Sequence, residues 1–305
     1  MRYRKTATAG KPTSKPMWKP AFAPLLKYPR LAFRSAGLCL SREMQYRLHF
    51  WGNTFAGVLW TGMYLVFIEV ILSHTGSIAG WDRPAMYVLY GTYMILEAVA
   101  GMIIMPNMIK LTEYVRTGEL DLLLTKPIDT QFYLSVRHWE FAGTGRALIG
   151  LTAVAYGLKH TLASGGGGSV LPSPALHPAT LASPAILSWL SYLVSLVAAF
   201  LLLYALWLLS VLIIFWVIKA EGLGYLFVPI MQIARYPISA YPPLLQAAFR
   251  TVLPLAFVAA APSSALLGRA TPAGALVSLV VAGLFLLISR AGWLFALRHY
   301  SSASS

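Results

Sequence analysis

Cysteine occurs once in 305 residues, at Cys39, which excludes an intrachain disulfide and any metal centre built from cysteines. Charge is scarce too. Asp, Glu, Lys and Arg together make up 11% of the chain and only ten residues are acids, whereas 58% are hydrophobic and the mean hydropathy is +0.66. Such a composition does not suit a water-soluble globular domain and points to an integral membrane protein. The short patterns that carry chemistry are also missing: there is no G-x-x-x-x-G-K-[ST] phosphate cradle, no H-E-x-x-H, no G-x-S-x-G and no cysteine pair. The chain is therefore expected to hold no nucleotide, cofactor or metal of its own and to contain no catalytic residue. No compact apolar segment with a cleavage site stands near the N-terminus, so a removed signal peptide is not expected.

What charge there is lies unevenly. Residues 1–47 hold eleven Lys or Arg against the single acid Glu43, out of a formal net charge of +14. A basic arm directly before a hydrophobic span is the signature of a cytoplasmic N-terminus next to anionic lipid. No nucleic-acid recognition motif accompanies it, so nucleic acid is not an expected partner. Residues 1–20, rich in Lys, Ser, Thr and Pro, read as a disordered basic tail. Residues 21–49 mix apolar and basic side chains as a helix in the membrane interface does.

About 20 apolar residues cross a bilayer core. On that measure residues 50–298 form an all-α domain of six spans, near Phe50–Leu72, Pro84–Ile109, Trp139–Leu158, Ala185–Lys219, Leu223–Ile233 and Ala273–Leu297. Prolines at 237, 242, 243, 254, 262 and 272 interrupt the stretch 236–271, which reads as an outer re-entrant helical hairpin. The third and fourth spans are joined by a glycine-rich outer loop without Lys, Arg, Asp or Glu. This count puts both termini, including the tail 299–305, in the cytoplasm, and leaves Arg235, Arg250 and Arg269 on the outer side against the usual bias.

The loop 110–138 between the second and third spans is then cytoplasmic, and within it lies EYVRTGELDLLLTKPIDTQF, residues 113–132. Gly118 and Pro127 leave room for a helix of about two turns, with Thr117 as N-cap, Glu119 near its positive end and Leu120, Leu123 and Leu124 on one face. Lys126 precedes a proline and cannot readily continue it, while Asp129 can cap the next helix, which continues into the third span. Four acids, Glu113, Glu119, Asp121 and Asp129, against Arg116 and Lys126 make the segment locally acidic on a basic face. Anionic lipid repels such a patch and a protein groove accepts it. The alternative is a solvated connector whose leucines tuck against the spans.

The run RTGELDLLLTKPI resembles the Gly-Glu-Leu-x-x-Leu-Leu-x-x-Pro signature of type-2 ABC export permeases, and GELD with KPIDTQF resembles a branch of ABC-transporter permease proteins. ARYPISAYP, LPLAFVAAAPSSALLGR and the Tyr-Ser-Ser-Ala-Ser tail are similar to further family features in the same order, so the resemblance runs from about Tyr46 to the C-terminus. It implies a transmembrane permease subunit of an exporter in the cell membrane, the inner or plasma membrane. Two such subunits, identical or paralogous, pair with two ABC ATP-binding subunits, which hold ATP and Mg. It also implies a coupling helix that docks on the ATPase, carried here by Arg116, Gly118, Glu119, Leu120, Asp121, Leu122, Leu123, Leu124, Lys126 and Pro127. An outer gate falls at Tyr236, Pro237, Tyr241, Pro242, Pro254, Phe257 and Pro262.

Ionisable residues inside spans are functional candidates because burying charge in lipid is costly. They are Glu69, Glu97 and Arg146. Glu97 and Arg146 are placed to form a pair that holds helices together, and Glu69 to reach the outer interface. The same three residues leave open an ion-coupled secondary transporter that needs no ATPase. A membrane-embedded transferase would need a catalytic group in an outer loop, where Asp82, His74 and His177 stand isolated.

Overall fold

A computed structural model describes residues 23–163, 184–217 and 222–300. The expected tail 1–20, most of the glycine-rich loop, the turn at 218–221 and the final tail from 301 lie outside the described residues. Helix α1 (Ala23–Gln45) precedes α2 (Arg47–Thr75), and a two-stranded turn, β1 (Ser77–Ile78) with β2 (Trp81–Asp82), leads into the 35-residue α3 (Arg83–Thr117). Two short helices follow, α4 (Leu120–Leu124) and α5 (Thr130–Val136), then α6 (Thr144–Ala163) and α7 (Pro184–Val211). The rest comprises α8 (Phe227–Gln232), α9 (Pro243–Thr251), α10 (Ala260–Leu266) and α11 (Pro272–His299), with 3-10 turns between.

Among the described residues four helices are long and apolar enough to cross a membrane, 47–75, 83–117, 186–215 and 272–299, or five if α9 and the stretch Leu255–Leu266, bent by 74°, count as one. The chain is thus an all-α, multi-pass membrane protein. A helix, α6, lies where the third span is expected, but it is not among these helices and it starts at Thr144 and not at Trp139. The expected fourth span stops being helical at Phe215, short of Lys219.

α6 runs antiparallel to α3, and the two backbones touch. A Cβ on Gly91 would lie 2.6 Å from the Gly150 carbonyl oxygen, and one on Gly157 would lie 2.5 Å from that of Pro84. Only glycine permits this approach, which substitutes for the apolar bulk that usually joins helices. We call the end carrying residues 118–141 the lower end. α7 and α11 run side by side toward it, and the main core fills the space between α3, α7 and α11, with Trp207, Trp293, Tyr90 and Tyr93 buried there.

The broken segment after residue 222 follows α3 in the opposite direction. Gly224 packs on Ile109 and its carbonyl accepts from Trp207 Nε1 at 3.0 Å; Arg235 lies over the Tyr93 ring, 5.3 Å away; Ser239 Oγ donates to the Ala79 carbonyl at 3.1 Å. Arg235 is thus buried at the level of mid-α3, not on the outer surface. Proline-rich sequence carries no helical period from which depth can be read, hence the misplacement.

Candidate functional site

Gly118 ends α3 in the left-handed conformation, φ 77°, which costs a residue with a Cβ energy and costs glycine none. Thr117 is not the expected N-cap. It is the last residue of α3, and its hydroxyl donates back to the Glu113 carbonyl at 3.0 Å. Glu119 takes the cap position of α4, which is five residues long rather than two turns. Leu120 and Leu123 point into the core, 0% and 5% exposed, whereas Leu122 is 71% exposed and Leu124 37%. The three expected leucines therefore do not share a docking face. The outward surface consists of Leu122 and Leu124 beside Glu119, Lys126 and the partly exposed Asp121, with Arg116 and Pro127 also exposed.

After a tight turn around Pro127, closed by Ile128 N–H on the Lys126 carbonyl at 2.8 Å, Asp129 caps α5 by accepting from Phe132 N–H at 2.9 Å. The same carboxylate receives Arg290 of α11, Nη2 to Oδ2 at 2.7 Å and Nη1 to Oδ1 at 3.3 Å, and Arg290 Nη1 also donates to Gln131 Oε1 at 2.9 Å. Tyr204 of α7 meets Ser135 at 2.8 Å and accepts from Gln131 Nε2 at 3.2 Å. Tyr300, just past α11, lies beside Asp121; burial and that carboxylate push its hydroxyl up to about 12.

Helix α5 does not continue into α6, although its sequence implies that it does. It stops at Val136, and residues 137–140 form a joint gripped from three sides. The buried Asn107 of α3 donates through Nδ2 to the His138 carbonyl at 2.7 Å, while His138 N–H donates to Asn107 Oδ1 at 2.9 Å. Pro106 lacks the N–H that would use the Met102 carbonyl, and Glu140 N–H takes that acceptor at 3.0 Å. Glu43 of α1 accepts Phe141 N–H through both oxygens, at 3.1 and 3.0 Å. Burial, with Arg137, Lys110 and Arg42 nearby, holds the His138 ring down at about 4, so it is neutral, with Nε2 2.8 Å from the Tyr114 hydroxyl. Helix α1 also lays Tyr28 edge-on against Phe132, with ring centroids 4.8 Å apart.

In the membrane-level interior, Arg146 Nη1 lies 3.1 Å from Glu97 Oε1, each side chain about a quarter exposed. Glu69 is near the other end, 3.2 Å from Arg83 and 3.0 Å from the Tyr87 hydroxyl that donates to it. Of the outer residues, Tyr241 donates to the Ile233 carbonyl at 3.0 Å and stacks edge-on against Phe249. Pro237, Pro254 and Pro262 are buried, Tyr236 and Phe257 half-buried and Pro242 exposed. Arg269 pairs with Asp82 at 2.8 Å. Asn107, His138, Glu43, Tyr204 and Arg290 escape a sequence reading because each acts through a partner far along the chain. The one visible signal is Pro106 beside Asn107, a helix break followed by a polar residue inside an apolar run.

A family model described as "ABC-2 family transporter protein" matches residues 58–171 and 181–304. No curated protein and no solved structure matches the chain.

Proposed function

The chain belongs to the ABC-2 family of transporter proteins, and from that premise we propose that it is the permease of an exporter whose ATPase is a separate subunit. The observation that carries this reading is the two-sided α4. One side, Leu120 and Leu123, is locked into the core, and the other presents Leu122, 71% exposed, among acids. An exposed leucine in an acidic rim suits a groove on a protein and not a lipid surface. The segment 116–127 would dock on the ATP-binding subunit, which supplies ATP and Mg. Its movement would pass through the joint at 137–140 to α3 and α6, opening a path between two permease copies, identical or paralogous. The bent hairpin between 236 and 271 would be the outer gate.

Six crossings, with both termini cytoplasmic in the cell membrane, suit this reading. The contacts of Gly224 and Arg235 along α3, and of Ser239 with the turn that precedes it, support a broken fifth crossing. The glycine-packed α6 supports the third, since a helix so close to α3 shares its depth.

The test is a pair of cysteines, Asp121→Cys and Leu122→Cys, crosslinked in native membranes. Each should form a crosslink to an ATP-binding subunit that co-purifies in equal copies, with a yield that changes with nucleotide. A chain that transports with no ATPase attached, or gives no crosslink in any nucleotide state, would overturn the reading.

A further inference from the structure

Two cavities meet at the lower end of α6. One, about 510 Å³, lies where α1 joins α2 and is lined by Arg42, Glu43, His49, Asn53 and Glu140 among others. The second, about 270 Å³, lies deeper, between α3, α6, α7 and α8, with Glu97, Arg146, Tyr93, Trp207 and Met231 in its wall. Glu140 and Ala142 line both, so the cavities adjoin. From Met105 to Glu97, both lining the deeper cavity, α3 rises about 12 Å at ~1.5 Å per residue, which carries the cavity from the joint well into the apolar layer.

The charges in these walls are mostly spent. Arg146 is neutralised by Glu97 at 3.1 Å and Glu43 is used on the Phe141 N–H, while Arg42 keeps its charge in the wall of the outer cavity. Glu140 is different. Its backbone is held by Met102, yet its carboxylate makes no hydrogen bond or ion pair among the described residues, and it stands where the two cavities meet. Its side chain is exposed at the mouth of the outer cavity, where Arg42 and His49 line the same wall without an ion pair to it.

The remaining wall is soft and polarizable. Trp207 has its N–H occupied by the Gly224 carbonyl and offers only its ring, beside Tyr93, Met105 and Met231. Aromatic faces and thioethers around a lone carboxylate favour an organic cation over an anion. Arg235, covered by the Tyr64 ring at 3.8 Å and with Tyr93 between it and the cavity, lies beyond the wall and would stop a cation from going further. Outside, the first half of α2 exposes Phe55, Leu59 and Met63, a surface along which an alkyl chain can remain in lipid.

Resting on the permease reading above, we propose that the joined cavities bind the head group of a single-chain amphiphile bearing an ammonium, admitted at the level of α1 and held at Glu140 against the aromatic and methionine wall of the deeper cavity. The test uses the full chain in lipid nanodiscs with no ATPase present. The probes are dodecyltrimethylammonium and dodecyl sulfate, each with a photoactivatable diazirine near the head. Labelling of Met105 or Met231 by the ammonium probe should exceed that by the sulfate probe about tenfold, the factor a single lost ionic contact gives, and unlabelled dodecyltrimethylammonium should compete it away. Glu140→Gln, which removes no contact within the fold, should reduce it about tenfold. Equal labelling by the two probes, stronger labelling by the sulfate, or label confined to the lipid face of α2 would overturn the proposal. Because no ATPase is present, such a failure leaves the permease reading standing, and failure of the ATPase to co-purify sinks that reading whatever the label shows.

Discussion

Arg146 ties three helices with one side chain. Its guanidinium meets Glu97 of α3, it sits two residues into α6, and its stem lies where a Cβ on Gly57 of α2 would come within 3.2 Å. Removing one partner strands a charge in a low-dielectric place, whereas removing both strands none. Glu97→Gln and Arg146→Met should each lower denaturation stability in detergent by on the order of 3 kcal/mol, and the double change should cost much less than the two combined. Strictly additive losses would show that the ion pair contributes nothing jointly. The pair is legible in the sequence because a charge inside an apolar span needs a partner at similar depth. Arg235 is not legible in this way. Its relief comes from the rings of Tyr64 and Tyr93 on other helices, and no acid marks the spot.

At the scale of elements, α4 shows what periodicity conveys and what it leaves out. The spacing of Leu120, Leu123 and Leu124 gives a helix, and GELD with the proline bounds it, but nothing local says which side meets the core. That is set by the left-handed turn at Gly118, which rotates the next turn relative to α3. The result places Leu120 and Leu123 inside and turns Leu122, absent from the expected face, outward. Leu120→Ala should therefore lower the stability of the isolated chain by about 2–5 kcal/mol, while Leu122→Ala should change it by no more than about 0.5 kcal/mol and weaken ATPase binding. A Leu122→Ala variant that binds the ATPase with unchanged affinity would remove α4 as the docking element. The break between α5 and α6 was hidden for a similar reason: its hydrogen bonds come from Asn107, Met102 and Glu43, none of them near it in the chain.

For the whole molecule, the lower loop is a hub that reaches α1, α7 and α11 as well as α3 and α6. Through Asn107 it grips α3, through Tyr204 it grips α7, through Tyr28 and Glu43 it touches α1, and through Asp129 and Gln131 it holds α11. Four of the expected spans, the loop and the family pattern are legible in the sequence, because these rest on composition and local spacing. The sequence does not show the hub, whose contacting pairs are separated by up to 161 positions. Arg290 carries the longest of these links and is about two-fifths exposed, so its loss should cost little stability. Its mechanical effect should be larger. If docking displaces the loop, the bidentate contact to Asp129 makes α11 follow; without it, α11 is driven only by its packing on α7. Arg290→Gln should leave assembly and ATP hydrolysis near the parent level and lower transport per ATP hydrolysed several-fold, with Arg290→Lys between, since an ammonium keeps the charge and loses the fork geometry. Measured in proteoliposomes, an unchanged ratio of transport to hydrolysis would mean that α11 moves with α7 alone and that the Asp129 contact only anchors the loop at rest.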